Sequence, residues 1–481
     1  MTVLFVEHAK LHFEEGLIRA GFRERGGEWH GPVARGASTV EVRISTPRGF
    51  PFEPPKVRPS DLESVPWSWH RELDGGLCLV ADDDRDGLWW CGAPELLEHV
   101  TAWFASADGG WADDRPDLDL DRYFFKSGDT RLYLFPDLGT YDGSFVRFRP
   151  GPNGVLILKS CMEKPARLTK NFTFDRFGYV ATLHHLDVPP RGWDDVARMT
   201  EARIDLGRAI LDRRIDLLVL RYERSGQQGA ILLDAGVDAE GGIEMCRLSS
   251  SSTGPAPVLI RSGPYAPQLA DKRVAVVGLG AVGSHVADGL VRAGMHRLTL
   301  LDGDVLKPGN VVRHLLGAAA VGLRKAEAVA NELALRHGIA RDELNVRGEL
   351  VLADQTAYEL LASHDLVINA TAEYPVTALL HAAARADDRH LVSVALRNDG
   401  DTLRVDILPP LSGESWPQSA NPNGAAVPQN FEGGCGSPIS PTPPFAVVEA
   451  AAVAVRHAVG LLVGHPVHPA GEVRHRRGVS E

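Results

Sequence analysis

RVAVVGLGAVGSHVADGLVRAGMHRLTLLDGDVLKPGNVVR, residues 273–313, is the stretch of sequence that decides the fold. Its residues 274–277 are apolar and mostly β-branched, which predicts a buried parallel strand. Gly278, Gly280 and Gly283 follow with the spacing G-x-G-x-x-G. The first two glycines allow a tight turn that brings backbone N–H groups against phosphate oxygens, and the third lets the next helix pack closely against the strand. The pattern therefore predicts a phosphate-binding strand–turn–helix unit.

A helix and a second strand complete this unit. We expect the helix at about residues 282–293, with the positive end of its dipole directed at the same phosphate. The second strand, residues 298–301, ends at Asp302. This carboxylate follows the glycines by about 20 residues, a spacing at which it can accept hydrogen bonds from ribose hydroxyls. Together these features predict a nucleotide-binding βαβ unit in a Rossmann-like, doubly wound sheet.

Polar residues after the second strand narrow the chemistry. Asp302 and Asp304 form D-x-D, and Asn310 and Arg313 form N-x-x-R. Lys325 stands at the start of the next predicted helix. Taken singly, Arg313 and Lys325 are ordinary solvated surface residues. An enzyme that cleaves ATP between its α- and β-phosphates has a use for them, because negative charge builds up there in the transition state. Hydride transfer has no such use, so a nicotinamide-dependent oxidoreductase is the weaker alternative.

The run D-G-D-V-L-K-P-G-N-V-V-R resembles the nucleotide-site signature of the ThiF/MoeB and ubiquitin-activating enzymes. The resemblance covers roughly residues 270–462. It implies a domain that uses ATP and Mg²⁺ to adenylate the C-terminal glycine of a ubiquitin-like protein, and that is usually a homodimer. The family usually has D-x-T-D-N after a later strand, with its second Asp near the Mg²⁺. Here Ala372 stands at that position, so either Glu373, one residue further on, is the metal ligand, or the metal is held differently.

One cysteine, Cys435, lies in a long loop, residues 409–444, that is rich in Pro, Gly, Ser and Asn. Its neighbours, in G-G-C-G-S-P, give the backbone freedom and leave the sulfur accessible. In activating enzymes the thioester cysteine lies on a segment well past the D-x-T-D region, and Cys435 is placed similarly. The resemblance thus implies a nucleophilic thiolate at Cys435. The alternative is an incidental loop cysteine.

The N-terminal residues 1–125 show a second set of features. A helical pattern at residues 4–20 precedes an alternating strand at 38–46, and residues 50–57 have the sequence FPFEPPKV. Cys78 follows in G-G-L-C-L, and a helix is expected at 95–106. This order resembles the ubiquitin-conjugating domain, whose proline box is Y-P-F-x-P-P-x-V.

The resemblance assigns roles to two of these residues. Cys78 matches the thioester cysteine, and His70 matches the His of the family's H-P-N. The next two residues depart from the family, because Arg71 and Glu72 stand for Pro and Asn. That Asn supports the oxyanion in the family, so we expect its role to be lost, replaced or unnecessary here. The acidic residues 82–84 are either a solvated loop or a site that orients an incoming lysine.

The chain as a whole is predicted to be a multidomain α/β protein. We expect an α+β conjugating-like domain at residues 1–125 and a mixed α/β domain at 126–265 that either positions its neighbours or is a spacer. The Rossmann-like adenylation domain is expected at 266–463, followed by a tail, 464–481, without regular structure. A length of 481 residues suits several domains.

Composition excludes several other classes. A net charge of −12 argues against nucleic-acid or anionic-membrane partners. The apolar stretch at 445–463 contains Glu449, Arg456 and His457, so we interpret it as a packed helix. The five cysteines include no C-x-x-C pair, which disfavours a disulfide framework or a structural zinc site. No signal-peptide pattern is seen, so we expect a cytoplasmic protein.

The two resemblances together predict a fused conjugating and activating enzyme, similar to those in bacterial antiviral operons such as the CBASS systems. In this hypothesis the domain around Gly278 adenylates a ubiquitin-like partner protein, Cys435 takes the acyl group, and Cys78 passes it to an amine or hydroxyl of a target protein. One rival is an adenylating sulfur-carrier enzyme whose N-terminal domain only docks a partner. A purely structural scaffold is the weakest alternative.

Overall fold

The computed structural model describes residues 2–80, 87–111, 120–162, 174–184, 186–224, 226–254, 259–349, 353–411, 414–415, 430–431 and 438–475. These residues form two compact units, Met1–Gly254 and Pro255–Glu481. The first unit joins the predicted conjugating-like and middle domains. Its end lies before the boundary that the sequence predicted at residues 265 and 266. Cys435 and the acidic residues 82–84 lie outside the described residues.

The N-terminal part of the first unit is a four-stranded antiparallel sheet in the order β1-β2-β3-β4, with two helices packed around one core. Its elements are α1 (Thr2–Arg19), β1 (Arg23–Arg25), β2 (Glu28–Arg35), β3 (Ser38–Ser45), β4 (Lys56–Pro59) and α2 (Ala93–Asp108). The alternation that predicted β3 is seen directly, because Val42 and Ile44 are buried whereas Glu41 is exposed. The proline box begins with a cis Phe50–Pro51 peptide bond and leads into β4.

The rest of the first unit is a nine-stranded mixed sheet, and its described residues include two short α-helices. Along the path the strand order is β12-β11-β10-β8-β6-β7-β5-β13, and β9 pairs with β8. The elements are β5 (Tyr133–Phe135), β6 (Phe145–Pro150), β7 (Leu156–Met162), β8 (Arg176–Leu183), α3 (Trp193–Met199), β9 (Thr200–Glu201), α4 (Leu206–Leu211), β10 (Leu217–Arg224), β11 (Gln227–Val237), β12 (Ile243–Arg247) and β13 (Ser250–Ser252). The central strand β10 is buried on both faces from Leu217 to Leu220, which explains its continuous apolar run.

Two tryptophans before the cysteine loop join these two parts of the unit. The indole of Trp67 donates a hydrogen bond to the Pro189 carbonyl at 2.7 Å, and that of Trp69 donates to the Leu186 carbonyl at 3.2 Å. The Tyr123 hydroxyl donates to the Trp69 carbonyl at 2.6 Å. Trp69 and Tyr123 are both buried in the core of the nine-stranded sheet. The segment that leads to Cys78 is therefore part of the middle core rather than of a separable N-terminal domain.

The second unit contains a seven-stranded sheet in the order β16-β15-β14-β17-β18-β19-β22. Its elements are α5 (Ala266–Leu269), β14 (Arg273–Val277), α6 (Ala281–Arg292), β15 (Arg297–Leu301), α7 (Lys325–His337), β16 (Leu344–Arg347), α8 (Asp354–Ser363), β17 (Leu366–Asn369), α9 (Tyr374–Ala386), β18 (Leu391–Arg397), β19 (Thr402–Leu408), β20 (Asn430–Phe431), β21 (Pro438–Ile439), α10 (Pro444–Leu462) and β22 (Gly471–His475). The first five strands of this order are parallel, and β19 and β22 add an antiparallel edge. This is the predicted Rossmann-like arrangement. Strand β14, which comes first in the sequence of this unit, lies in the middle of the five parallel strands.

The last strand corrects the prediction of a structureless tail from residue 464. Residues 471–475 form β22, which pairs antiparallel with β19. Glu472 anchors the strand, because its carboxylate accepts hydrogen bonds from Arg456 at 2.6 Å, Arg474 at 2.8 Å and the buried His457 at 2.9 Å. A histidine- and arginine-rich segment thus folds against the sheet through one carboxylate.

Helix α10 has the length and apolar composition of a membrane span, and half of its most apolar window is buried inside the protein. Ala450, Ala454 and Ala458 are fully buried and belong to the same core as the parallel strands. No other described helix meets the length and composition of a span. The helix is packed as the sequence predicted.

We predict that Glu472→Gln destabilises the second unit by about 1–3 kcal/mol at pH 7, because hydrogen bonds to a charged group are lost. Burial alone would raise the pKa of Glu472, but hydrogen bonds from Arg474, His457 and Arg456 outweigh it and lower the pKa to about 2. The carboxylate therefore stabilises the folded state above its unfolded pKa, and this contribution disappears as the pH falls towards 2.

Urea denaturation of the full chain at pH 7 and at pH 4 measures this effect, with Glu332→Gln as the matched control. Glu332 forms an exposed i,i+4 pair with Arg336, whose loss changes stability by about 0.5 kcal/mol or less. Equal losses for the two variants at pH 7 would contradict the anchoring role of Glu472.

Candidate functional site

The glycine turn between β14 and α6 has the geometry that its sequence predicted. Gly278 has φ +83°, and a Cβ atom there would lie 2.9 Å from the backbone nitrogen of Thr371. A Cβ atom on Gly283 would lie 1.8 Å from the Gly278 carbonyl oxygen, so the helix and the turn touch directly. Gly280, by contrast, has open space around it. The close approaches at Gly278 and Gly283 require glycine, whereas the space at Gly280 is free for a ligand.

The first turn of α6 presents backbone N–H groups that have no partner within the helix. Gly280 is the N-cap residue and makes no side-chain cap hydrogen bond. The N-terminus of a helix favours anions through these donors and through the helix dipole. The turn therefore fits the phosphates of a nucleotide.

Asp302 holds this turn in place. Its side chain is buried, and Oδ2 accepts the Leu279 N–H at 2.7 Å while Oδ1 accepts the Asp304 N–H at 2.8 Å. The carboxylate thus joins the glycine turn to the loop after β15. Contact with a ribose, which the sequence predicted for Asp302, remains a prediction beside this structural role.

The predicted phosphate contacts fall into two groups. Lys325, the first residue of α7, is buried, and its Nζ lies 2.8 Å from Asp304 Oδ2. Asn310 and Arg313 bind backbone instead: Asn310 Oδ1 accepts the Lys307 N–H at 3.1 Å, and Arg313 Nη1 donates to the Ser440 carbonyl at 2.8 Å. The structure therefore brings Asp302, Asp304 and Lys325 together at the turn, but shows no contact of Asn310 or Arg313 with them.

Sequence reasoning missed His314, which supports the turn from its other side. His314 Nδ1 accepts the Leu316 N–H at 3.1 Å, so its Nε2 carries the proton and donates to the Leu279 carbonyl at 2.8 Å. Burial lowers the pKa of this imidazole, which keeps it neutral. The only signal in the sequence was its position directly after Arg313.

Ala372, which stands where the family motif D-x-T-D-N has its second Asp, follows the end of β17. Asn369 is fully buried, and its amide donates to Thr377 Oγ1 at 2.8 Å while its Oδ1 accepts the Thr371 hydroxyl at 2.8 Å. Ala372 has φ +58°, and Glu373 is exposed at the start of α9. Among the described residues no three His, Cys, Asp or Glu side chains cluster as metal ligands. Glu373 remains a predicted ligand, and a magnesium ion there would take most of its oxygens from nucleotide and water.

In the first unit, a tight loop places Cys78 beside His70. The Cys78 N–H donates to the His70 carbonyl at 3.0 Å, and Arg71 pairs with Leu77 across the loop. The imidazole of His70 stacks on Trp111 with ring centroids 3.6 Å apart. Cys78 is half-buried. His70 and Cys78 thus meet through their backbones, and the imidazole ring of His70 stacks on an aromatic side chain.

The two residues that replace Pro and Asn of the family motif have different roles. Arg71 is buried and donates to the carbonyls of Val65 at 2.8 Å and Gly75 at 3.0 Å, so it stabilises the loop. Glu72 points to an arginine from a later segment, with Oε1 2.7 Å from Arg122 Nη2. The same Nη2 lies 3.0 Å from Cys78 Sγ.

Arg122 is the second functional residue that the sequence did not show, since it lies 44 positions beyond Cys78 and in no motif. Burial raises the pKa of the Cys78 thiol; Arg122 opposes this rise, and Glu72 adds to it. A cavity of about 320 Å³ opens beside this group, lined among others by Lys56, Glu72, Leu77 and Arg122. The Cys78 thiol thus has the guanidinium of Arg122 beside it and an open cavity next to that guanidinium.

Comparison with known proteins agrees with the geometry of the second unit. Residues 262–474 match the sequence model of the ThiF family. The second unit contains a ThiF-family domain. Over 155 residues, which are 31% of this chain, the chain is 34% identical to the ATP-dependent ubiquitin transferase-like protein Cap2 of Vibrio cholerae, and the match covers 26% of that protein.

Molybdopterin-synthase adenylyltransferase of Escherichia coli is 36% identical over 135 residues, which are 27% of this chain and 53% of that protein. The matches thus span about a quarter to a half of the length of these relatives. The crystal structure of Escherichia coli MccB aligns with 45% of this chain and 60% of that chain at 18% identity and a TM-score of 0.34.

We predict that Gly283→Ala destabilises the ThiF domain by about 1–3 kcal/mol, because the new methyl group meets a backbone carbonyl that is itself held in the turn. Gly280→Ala is the matched control: its site is open and its φ is −72°, so stability changes by about 0.5 kcal/mol or less. Nucleotide binding should weaken in both variants. Thermal unfolding with and without ATP separates the two effects, and an unchanged melting temperature for Gly283→Ala would contradict the close packing.

Proposed function

We propose that this chain activates the C-terminal carboxylate of a partner protein with ATP and conjugates that protein to a target. The glycine turn beside the ion pair of the buried Lys325 with the exposed Asp304, within a ThiF-family domain, is the observation that carries the proposal. It combines backbone donors for phosphates with a cation near the position where charge develops during adenylation. Cys78 and its arginine neighbour in the first unit support the conjugating half.

The proposed reaction begins with attack of the partner's carboxylate on the α-phosphorus of ATP. An acyl-adenylate forms and pyrophosphate leaves. Lys325 and the first turn of α6 stabilise the charge on the phosphates, and a Mg²⁺ ion, when bound with the nucleotide, supplies Lewis acidity. The residues described here fit the nucleotide better than they fit a preformed metal site.

The proposed relay then moves the acyl group between two sulfurs. The Cys435 thiolate attacks the acyl-adenylate and AMP leaves, which gives a thioester. Cys78 takes the acyl group by thioester exchange, and an amine or hydroxyl of the target attacks it. The product is an isopeptide or an ester. By the same reasoning we propose a cytoplasmic homodimer that acts on a ubiquitin-like protein, in the manner of an antiviral conjugation system.

The identity with molybdopterin-synthase adenylyltransferase favours a second candidate, an adenylating enzyme of the sulfur-carrier type. In that case the first unit docks a partner and Cys78 has no catalytic role. The two candidates share the adenylation step and differ only in what happens to the acyl group. The ThiF match disfavours the nicotinamide-dependent oxidoreductase.

We predict that Lys325→Gln slows ATP–pyrophosphate exchange by about 10²-fold, because one preorganised charge near the reacting phosphates is removed. Arg336→Gln is the control. Arg336 lies on the same helix, α7, and is an exposed cation that pairs with Glu332, so the exchange rate of this variant should stay at the wild-type value. Equal exchange rates for the Lys325 variant and wild type would contradict the role of Lys325.

We predict a thioester adduct on the full chain when it is co-expressed with the small proteins of its own operon, measured by intact mass with and without thiol reductant. The adduct should disappear in Cys435→Ala and accumulate on Cys435 in Cys78→Ala. Cys161→Ser, which changes an exposed cysteine, is the control and should behave as wild type. Exchange of pyrophosphate without any adduct would favour the sulfur-carrier candidate, and absence of both would contradict the proposed function.

A further inference from the structure

Two segments of the first unit meet at Cys78. The loop of residues 70–78 contributes Glu72, and the 3-10 turn Leu120–Tyr123 contributes Arg122. Arg122 Nη2 is 2.7 Å from Glu72 Oε1 and 3.0 Å from Cys78 Sγ, so one nitrogen faces a carboxylate and a thiol together. This contact joins residues that lie far apart in the sequence, and neither family resemblance accounts for it.

The backbone that carries Arg122 is firmly held. Leu120 and Tyr123, at either end of its turn, are almost fully buried in the core of the nine-stranded sheet. Asp121, between them, pairs with Arg247 at 3.5 Å. A guanidinium on a fixed turn, three-quarters shielded from solvent, has lost much of its hydration and needs anionic neighbours.

Resting on the proposed conjugating function, we infer that Arg122 is a catalytic residue that stabilises the negative charge developed at Cys78. It supplies a donor where the family motif has Asn and this chain has Glu72. Glu72 binds the guanidinium when no acyl group is present and competes with Cys78 for the same nitrogen. The guanidinium carries five N–H donors in a planar fork, so it can hold the carboxylate while another donor turns to a new anion.

The step that Arg122 serves is the transfer of the acyl group from Cys78 to an amine. The amine nitrogen attacks the thioester carbon, and the carbonyl π electrons move to oxygen as an oxyanion. This oxygen is two bonds from Sγ and therefore within reach of a donor that lies 3.0 Å from the sulfur. When the carbonyl forms again, the C–S bond breaks, Sγ leaves with the electron pair as a thiolate beside Arg122, and the ammonium loses its proton to water.

The charges around the Cys78 thiol predict whether each substitution raises or lowers the reactivity of the thiol. Among the described residues, the charged groups that interact with the Cys78 thiol include Arg122, which favours the thiolate, and Glu72, which disfavours it. The neighbouring cavity wall adds Glu53, Lys56 and Asp74, of which Lys56 and Asp74 are paired at 3.1 Å. Removing Arg122 should therefore make the thiol less reactive at neutral pH, and removing the charge of Glu72 should make it more reactive.

Alkylation of the full chain by iodoacetamide between pH 6 and pH 9 measures this reactivity, with the Cys78 peptide quantified by mass spectrometry. We expect Arg122→Gln to lower the rate at pH 7 about 10-fold, Arg122→Lys to recover part of the loss, and Glu72→Gln to raise the rate several-fold. Arg208→Gln, which removes an exposed cation that pairs with Asp212 elsewhere in the first unit, should match wild type, and the half-buried Cys91 serves as the internal reference.

A purely structural role for Arg122 predicts the opposite sign. If the arginine only packed the loop, its loss would expose Cys78 and accelerate alkylation, and Glu72→Gln would act in the same direction. Faster alkylation in Arg122→Gln would therefore overturn the inference, and so would an unchanged rate in this variant.

A second measurement follows the oxyanion step. The Cys78 thioester formed with the operon's partner protein is discharged with hydroxylamine, and Arg122→Gln should slow this discharge about 10-fold or more. Equal discharge rates would overturn the catalytic role. If wild type forms no adduct, the proposed conjugation fails, whereas the alkylation rates still decide whether Arg122 stabilises an anion at Cys78.

Discussion

The backbone N–H and carbonyl of Leu279 are both held by buried side chains, and the candidate nucleotide site depends on this clamp. Asp302 accepts its N–H and His314 donates to its carbonyl, so the middle of the glycine turn is fixed by two buried side chains from different segments. The same carboxylate orders the loop that carries Asp304, which in turn pairs with Lys325. The clamped backbone of Leu279 thus links the position of the glycine turn to that of Lys325 at the start of α7.

Much of the second unit could be predicted because its signals are local. The strand predicted at 274–277 is observed at Arg273–Val277, and the helix predicted at 282–293 is Ala281–Arg292. Buried parallel strands leave continuous apolar runs, and a turn that approaches backbone closely leaves glycines at fixed spacing. By contrast β22 is polar in sequence; it pairs with β19, and its Glu472 meets partners on α10 and on its own strand.

The candidate sites divide in the same way. Asp304 and Lys325 were predictable as part of one motif, and the structure brings them together. Arg122 and His314 were not, because each acts through contacts with residues 35 to 44 positions away. Pairing across such separations is decided by how strands and turns pack, and a single sequence does not record it. Asn310 and Arg313 had a motif and, in this structure, bind backbone instead.

The packing of Trp67 against the core of the nine-stranded sheet and the burial of Trp69 within it bear on how such a chain can be divided. A module is exchangeable between proteins when its working parts lie on one side of a boundary. Here Cys78 belongs to the N-terminal part of the first unit. Arg122, whose guanidinium lies beside the sulfur, belongs to the turn Leu120–Tyr123, which is held by the core of the nine-stranded sheet. A graft of the N-terminal segment alone would carry the Cys78 thiol without the guanidinium of Arg122. The nine-stranded sheet is therefore part of the thiol's environment, and the two parts of the first unit are constrained to diverge together.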